Sequence, residues 1–290
     1  MNLLTKLHIF QKERFPLRIL LFTTASSILS SAAVSPSKPS ILLMILAFVS
    51  TLLFLYHIRV IDESRDLEMD SSLHPERPVQ RGIVSLKELF FTTIVGLAIC
   101  ILISIYAGFP AMVITLAVLV FTTFAWRDFF AKKFFSTRPV LYHIINSPQM
   151  ILVQWNIYAI YTESFQITWL MLLQLLLVYN SIFIIEVVRK IKAPVIDTPD
   201  SYSASMGTNK SIYFSIAMVF SGFAIFSLLL SGLGAFEGVN IFLGVMVSLS
   251  FIGIMLLHSR IKSVFTEQLM VVAAVIYYVA MNLIIYLSTL

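Results

Sequence analysis

The stretch Arg59-Val-Ile-Asp62-Glu63-Ser-Arg65-Asp66-Leu-Glu68-Met-Asp70-Ser-Ser-Leu-His74-Pro75-Glu76-Arg77-Pro78-Val-Gln80-Arg81-Gly82-Ile-Val-Ser85 lies in a chain that is 59% hydrophobic and only 12% charged. Asp62, Asp66 and Asp70 are spaced i, i+4, i+8, so on a helix they share one face. Glu63 stands beside that face. Like charges four residues apart destabilise a bare helix, so a positive partner is expected there. Hard cations such as Mg²⁺ take carboxylate oxygens and bridge them to substrate phosphates. Arg77 and Arg81 follow, and guanidinium groups make charge-assisted hydrogen bonds to phosphate oxygens. The stretch reads as a Mg-diphosphate site at the mouth of a membrane protein.

The surrounding residues supply the membrane. Across 290 residues the mean hydropathy is +0.92. Apolar runs of about 20 residues indicate an all-α, polytopic bundle. Strands of a membrane barrel would alternate in polarity and be about half as long, which excludes that class. Cys100 is the single cysteine, so neither an intramolecular disulfide nor a thiol metal cluster is possible. Lys6, Lys12 and Arg14 precede an apolar run ending near Ser31-Ala32-Ala33, a loose likeness to a signal peptide. A retained first span fits the topology better.

Nine spans are expected, at 17–34, 40–58, 89–107, 110–126, 142–162, 168–187, 211–231, 239–257 and 268–289. Pro36 and Pro39, Gly108 with Pro110, and Gly232, Gly234 and Gly238 punctuate the turns. With the N-terminus in the cytoplasm, 19 of the 20 Lys and Arg residues fall on cytoplasmic segments and Lys38 alone lies outside. The chain is expected to form a single membrane-embedded domain over 1–290, with functional cytoplasmic loops at 59–88 and 187–210. Those loops suggest two half-sites facing each other. Polar residues within the spans, among them Asn156, Gln174 and Asn180, are expected inside the bundle, largely as links between helices.

The 59–85 stretch resembles the first signature of the UbiA superfamily of intramembrane prenyltransferases. That signature is Asn-Asp-x-x-Asp-x-x-x-Asp, then Pro-x-Arg-Pro, then a Gly and a Ser. Asp62 stands at the Asn position and Glu63 at the next Asp, while Asp66 and Asp70 match outright. Pro75, Arg77, Pro78, Gly82 and Ser85 follow in register without a gap. Nine spans with polar loops after the second and sixth also look like this family. Arg14 and Pro16 before the first span are similar to its entry segment.

The second signature of the family, a pattern like Asp-x-x-Asp-x-x-x-Asp where span six meets its loop, is altered. Here Glu186 stands for the first acid, Arg189 reverses the charge of the second and Ala193 removes the third. Asp197 and Asp200 come later, beyond Pro194. Arg189, Lys190 and Lys192 are expected to neutralise diphosphate oxygens in place of a second metal. After span four, Phe129 and Lys133 keep the spacing of a family Tyr and Lys but lose the phenol, which makes Lys133 a candidate phosphate contact.

The resemblance implies Mg²⁺-dependent transfer of an isoprenyl group from an isoprenyl diphosphate to a lipophilic acceptor within the membrane. It implies Asp62, Asp66 and Asp70 as catalytic residues, with Glu63 and Glu186 joining them as metal ligands. Arg77, Arg81, Lys133, Arg189 and Lys190 would hold the diphosphate. Membrane lipid surrounds the chain, and no nucleic-acid partner is expected. The expected location is a bacterial inner membrane, with the site facing the cytoplasm. The altered second signature leaves open a non-catalytic binder or transporter of a phospho-lipid or anionic solute, and the same metal chemistry leaves open a transferase using another diphosphate donor.

Overall fold

The computed structural model describes residues 1–135, 138–192 and 201–290, and every regular element among them is a helix. In chain order these are α1 (Leu3–Arg14), α2 (Leu17–Val34), α3 (Ile41–Arg65), α4 (Leu67–Leu73), α5 (Leu86–Tyr106), α6 (Phe109–Trp126), α7 (Lys132–Phe135), α8 (Pro139–Asn146), α9 (Pro148–Thr162), α10 (Trp169–Arg189), α11 (Tyr202–Met206), α12 (Thr208–Gly232), α13 (Gly238–Ile261) and α14 (Val264–Leu287), with a 3₁₀ turn at Asp128–Phe130. Among the described residues, eight helices are long and apolar enough to cross a membrane: α2, α3, α5, α6, α10, α12, α13 and α14. The fold is an all-α, multi-pass membrane protein.

The span expected at 142–162 differs from the others. It is divided between α8 and α9, so nine single spanning helices are not found among the described residues. The 15 residues of α9 rise about 22 Å, less than the roughly 30 Å of a hydrocarbon core. Pro148 is the cause: it has no N–H to continue a ladder, and it opens α9 where a donor is not needed.

The chain forms two compact units. The first comprises residues 1–25, 39–132 and 152–165. In it α3 packs on α5 and α6, and α5 packs on α6. Buried Asn156 links helices: its Nδ2 donates to Thr115 Oγ1 at 2.9 Å, and its Oδ1 accepts from Ser50 Oγ at 3.4 Å. Helix α1 belongs to this unit. Asn2 caps it by accepting from the Thr5 N–H. Phe10 packs with Phe15, Val60, Val84 and Leu89, and Lys6 pairs with Glu88 in the capping box that starts α5.

The second unit comprises 26–38, 133–151 and 166–290. Here α10 packs on α12 and α14, and α13 on both of those helices. Several of its interior polar groups are paired across helices. Gln174 Nε2 donates to Ser30 Oγ at 2.9 Å, and Ser30 donates to Asn282 Oδ1 at 2.6 Å. Asn180 donates to the Met218 carbonyl and accepts from Ser221. Apolar surroundings offer such groups no other partner, so they fix which helices meet.

Candidate functional site

The segment 59–88, expected as a loop, is largely ordered. Helix α3 continues to Arg65, and α4 begins at Leu67. Asp66 lies between them at φ −93°, ψ 6°, in the bridge region. The backbone ladder still passes through: the Asp66 N–H donates to Asp62 O at 3.0 Å, and the Asp70 N–H to Asp66 O at 2.8 Å. The side chains, however, part into two groups rather than lining one face.

The first group surrounds Arg65. Its Nη2 lies 3.0 Å from Asp62 Oδ1. Its Nε and Nη2 grip Asp66 at 2.9 and 3.0 Å. Asp128, from the turn after α6, stands 3.8 Å from Nε. That turn carries three successive left-handed residues, Asp128, Phe129 and Phe130, at φ 48°, 52° and 57°. None is glycine, so the conformation costs free energy that the surroundings must offset. One such contact is Trp126 Nε1 donating to Ser64 Oγ at 3.3 Å, which ties the end of α6 to α3.

The second group is richer in arginine. The fully buried Glu63 accepts from Arg14 Nε at 2.7 Å and from Arg59 on the preceding turn. Asp70 pairs with Arg77 and lies 3.9 Å from Arg14 Nη2. Burial pushes the Asp70 carboxyl above its ordinary value, with Arg77 and Arg14 acting in the opposite sense. Glu63 Oε2 and Arg59 Nε are buried without a hydrogen-bond partner.

This geometry differs from the expected set of metal ligands Asp62, Glu63, Asp66 and Asp70. Guanidinium groups already engage Glu63 and Asp70, and among the described residues no three acid, His or Cys side chains converge to hold a metal. Asp62 and Asp66 also meet a guanidinium, but they share a single one, that of Arg65, and their carboxylates are 30% and 31% exposed where those of Glu63 and Asp70 are buried. Mg²⁺ commonly uses one or two carboxylates and completes its shell with water and phosphate oxygens. Asp62 and Asp66 therefore fit one such ion.

The other expected residues are placed as follows. Arg81 makes a two-pronged pair with Glu13 at 2.7 Å. Lys133 sits exposed on α7. In the second unit, Arg189 covers both oxygens of Glu186, and Lys190 Nζ lies 3.0 Å from Glu186 Oε1. Glu186 is thus closed by cations and does not fit a metal in this arrangement. Lys192 pairs with Glu267 at 2.8 Å. Ala193, Pro194, Asp197 and Asp200 lie outside the described residues.

The sequence profile of the UbiA prenyltransferase family matches residues 20–286. The chain belongs to the UbiA prenyltransferase family. No curated protein sequence matches it. A digeranylgeranylglyceryl phosphate synthase structure is similar over 98% of this chain and 99% of that one, with a TM-score of 0.64 and 18% identity. The apo UbiA homologue of Aeropyrum pernix K1 covers 93% and 98% of the two chains, with a TM-score of 0.67 and 15% identity. A UbiA homologue of Archaeoglobus fulgidus bound to GPP and Mg²⁺ covers 96% and 99%, with a TM-score of 0.57 and 13% identity. At these identities the likeness is one of fold.

Among the residues that sequence reasoning leaves out of the candidate site, Arg59 and Arg65 had a readable signal. They stand four residues before Glu63 and three after Asp62, the spacings at which helical ion pairs form. Asp128 had none, because no glycine or proline marks its left-handed turn.

Proposed function

We propose that this UbiA family member transfers an isoprenyl group from an isoprenyl diphosphate to a lipophilic acceptor within the membrane, with Mg²⁺ at Asp62 and Asp66. One observation carries the reading: the bend at Asp66 joins two side-chain groups of opposite charge balance. Asp62, Asp66 and Asp128 set three negative charges against Arg65. Arg14, Arg59 and Arg77 set three positive charges against Glu63 and Asp70. The first balance suits a divalent cation and the second suits phosphate oxygens. The fold shared with a homologue bound to GPP and Mg²⁺ supports the same ligand classes.

In this reading Glu63 and Asp70 are holders. They fix Arg14, Arg59 and Arg77 before the donor arrives, so charge growing on the leaving diphosphate meets donors that need not reorganise. Mg²⁺, when bound, supplies further positive charge against the same oxygens. Apolar and aromatic side chains shelter the allylic cation until the acceptor captures it. Arg81, paired with Glu13, and Lys133 are secondary phosphate contacts. Arg189 and Lys190 are cationic donors at the end of α10.

The distribution of basic residues supports a cytoplasmic N-terminus and a cytoplasmic site; the membrane of this reading is a bacterial inner membrane. That distribution requires the α8–α9 segment to cross once. Otherwise Arg189, Lys190, Lys192 and Lys210 would fall on the outer side, against the positive-inside bias. The chain works as a single membrane-embedded domain.

Thermal unfolding of the purified protein in detergent tests the reading, with geranyl, farnesyl and geranylgeranyl diphosphates added with and without Mg²⁺. A ligand that binds only the folded chain raises its stability. Mg²⁺-dependent stabilisation is expected in the parent and lost in Asp66→Ala. A well-folded parent that responds to none of the three donors would sink the proposal. The closure of Glu186 by Arg189 and Lys190 favours one second reading, a binder of phospho-lipids without transfer. Release of pyrophosphate from a bound donor would exclude it.

A further inference from the structure

The three carboxylates around Arg65 do not share it equally. Asp62 and Asp66 hold it at 2.9 to 3.0 Å. Asp128 Oδ1 stands 3.8 Å from Nε, within electrostatic reach but beyond a hydrogen bond. We propose that Arg65 and Asp128 are an exchange pair: a divalent cation entering between Asp62 and Asp66 displaces Arg65, which moves onto Asp128. This rests on the Mg²⁺ site proposed above and assigns two positioning residues to it.

The physical argument is competition for oxygens. A guanidinium and a divalent ion repel each other and compete for the same oxygens, and Arg65 already takes both oxygens of Asp66 and Oδ1 of Asp62. Arg65 is only 14% exposed and Asp128 only 16%. A largely buried guanidinium driven from its partners needs another, because an uncompensated buried charge is strongly unfavourable. Asp128 is placed for that role. Closing the gap to hydrogen-bond length takes a shift of about 1 Å. The left-handed turn at Asp128–Phe130 holds the carboxylate at this distance. Without the ion, Arg65 keeps Asp62 and Asp66 from repelling each other. With the ion, Asp128 receives Arg65. Asp128 therefore governs ion affinity without binding the ion itself.

The test uses the full-length protein in detergent and Mn²⁺ as the probe, followed by its electron paramagnetic resonance. Asp128→Asn is expected to weaken Mn²⁺ binding roughly tenfold, the loss of one charge-assisted pair. Asp128→Glu is expected to retain most of the affinity. A structure of the parent with Mn²⁺ should show Arg65 hydrogen-bonded to Asp128 and withdrawn from Asp62 and Asp66, a movement that a purely structural Asp128 would not produce. Three results would overturn the exchange and leave the metal site standing: Mn²⁺ bound with Arg65 unmoved, Asp128 itself ligating the ion, or undiminished affinity in Asp128→Asn. A parent that binds no Mn²⁺ would overturn both.

Discussion

Arg14, in the last turn of α1, donates its Nε to Glu63 Oε1 at 2.7 Å and so joins the N-terminal helix to the bend at the end of α3. Glu63 is fully buried and also accepts from Arg59. Glu63→Ala would leave two guanidinium groups facing each other without their acid. Removing one side of a buried pair typically costs about 3–5 kcal/mol. A clear drop in the detergent unfolding midpoint is expected, with a smaller drop for Glu63→Gln, which keeps the shape and one acceptor. An alanine variant as stable as the parent would mean that Arg14 and Arg59 find other partners.

Asp70 makes stability depend on pH in an unusual sense. Burial raises its carboxyl above the ordinary 3.8, outweighing Arg77 and Arg14. Between the unfolded value and the raised folded one, the folded chain holds more protons than the unfolded chain. Stability therefore falls as pH rises through that window. Exposed Glu76 is shifted the other way, chiefly by a hydrogen bond from its own backbone N–H. Its contribution is lost as pH falls below the ordinary 4.5, so it acts below that value. Midpoints measured upward from the ordinary value of 3.8 in the parent and in Asp70→Asn should differ in slope, with the falling component absent from the variant. Parallel curves would contradict the assignment.

What could be read from the sequence, and what could not, follows from where each residue finds its partners. Long apolar runs announce helices such as α10 and α13 because they cannot be exposed to water, and no fold detail is needed to see them. Helix α1 is polar and short. Its stability comes from Phe10 against Val60 and Leu89 and from Lys6 on Glu88, partners far away in sequence. The i, i+4 spacing places Asp62, Asp66 and Asp70 one turn apart, and their backbone bonds keep that order. Spacing is silent about the bend at Asp66, which turns Asp70 toward Arg77 and leaves Asp66 with Arg65. The same limit groups Glu63 with the metal ligands although Arg14 and Arg59 hold it. The division at Pro148 was visible as a proline, but its consequence, two short helices in place of one, depends on packing.

Gly222 on α12 is constrained by two polar side chains. An added Cβ would lie 2.6 Å from Asn180 Nδ2 and 2.6 Å from the Tyr277 hydroxyl. Both neighbours are tied elsewhere, Asn180 to Met218 O and Tyr277 to Val219 O. Gly222→Ala is expected to destabilise the protein by about 1–3 kcal/mol through overpacking. Gly253 on α13 is the control, since a Cβ there meets nothing within 4 Å. Gly253→Ala should leave the midpoint unchanged or raise it slightly, because alanine favours a helix by about 1 kcal/mol over glycine. Equal effects at the two sites would show that α12 can shift to make room.

Arg189 gives the sharpest view of how the altered second signature behaves. It covers both oxygens of Glu186 and is still 51% exposed, so an incoming anion can reach it. If Arg189 takes up diphosphate charge at the place where the resembled second signature has an acid, part of the donor's affinity must survive without Mg²⁺. That part should fall in Arg189→Ala by roughly ten- to a hundredfold, the range of about 1.5–3 kcal/mol for hydrogen bonds to charged groups. Arg189→Lys keeps the charge but loses the fork, and should fall between the two. Isothermal titration of geranyl diphosphate in chelator, against the same titration with Mg²⁺, separates the two contributions. Equal metal-free affinity in the parent and in Arg189→Ala would make Arg189 a membrane-edge anchor and leave the donor's charge to the α3–α4 bend.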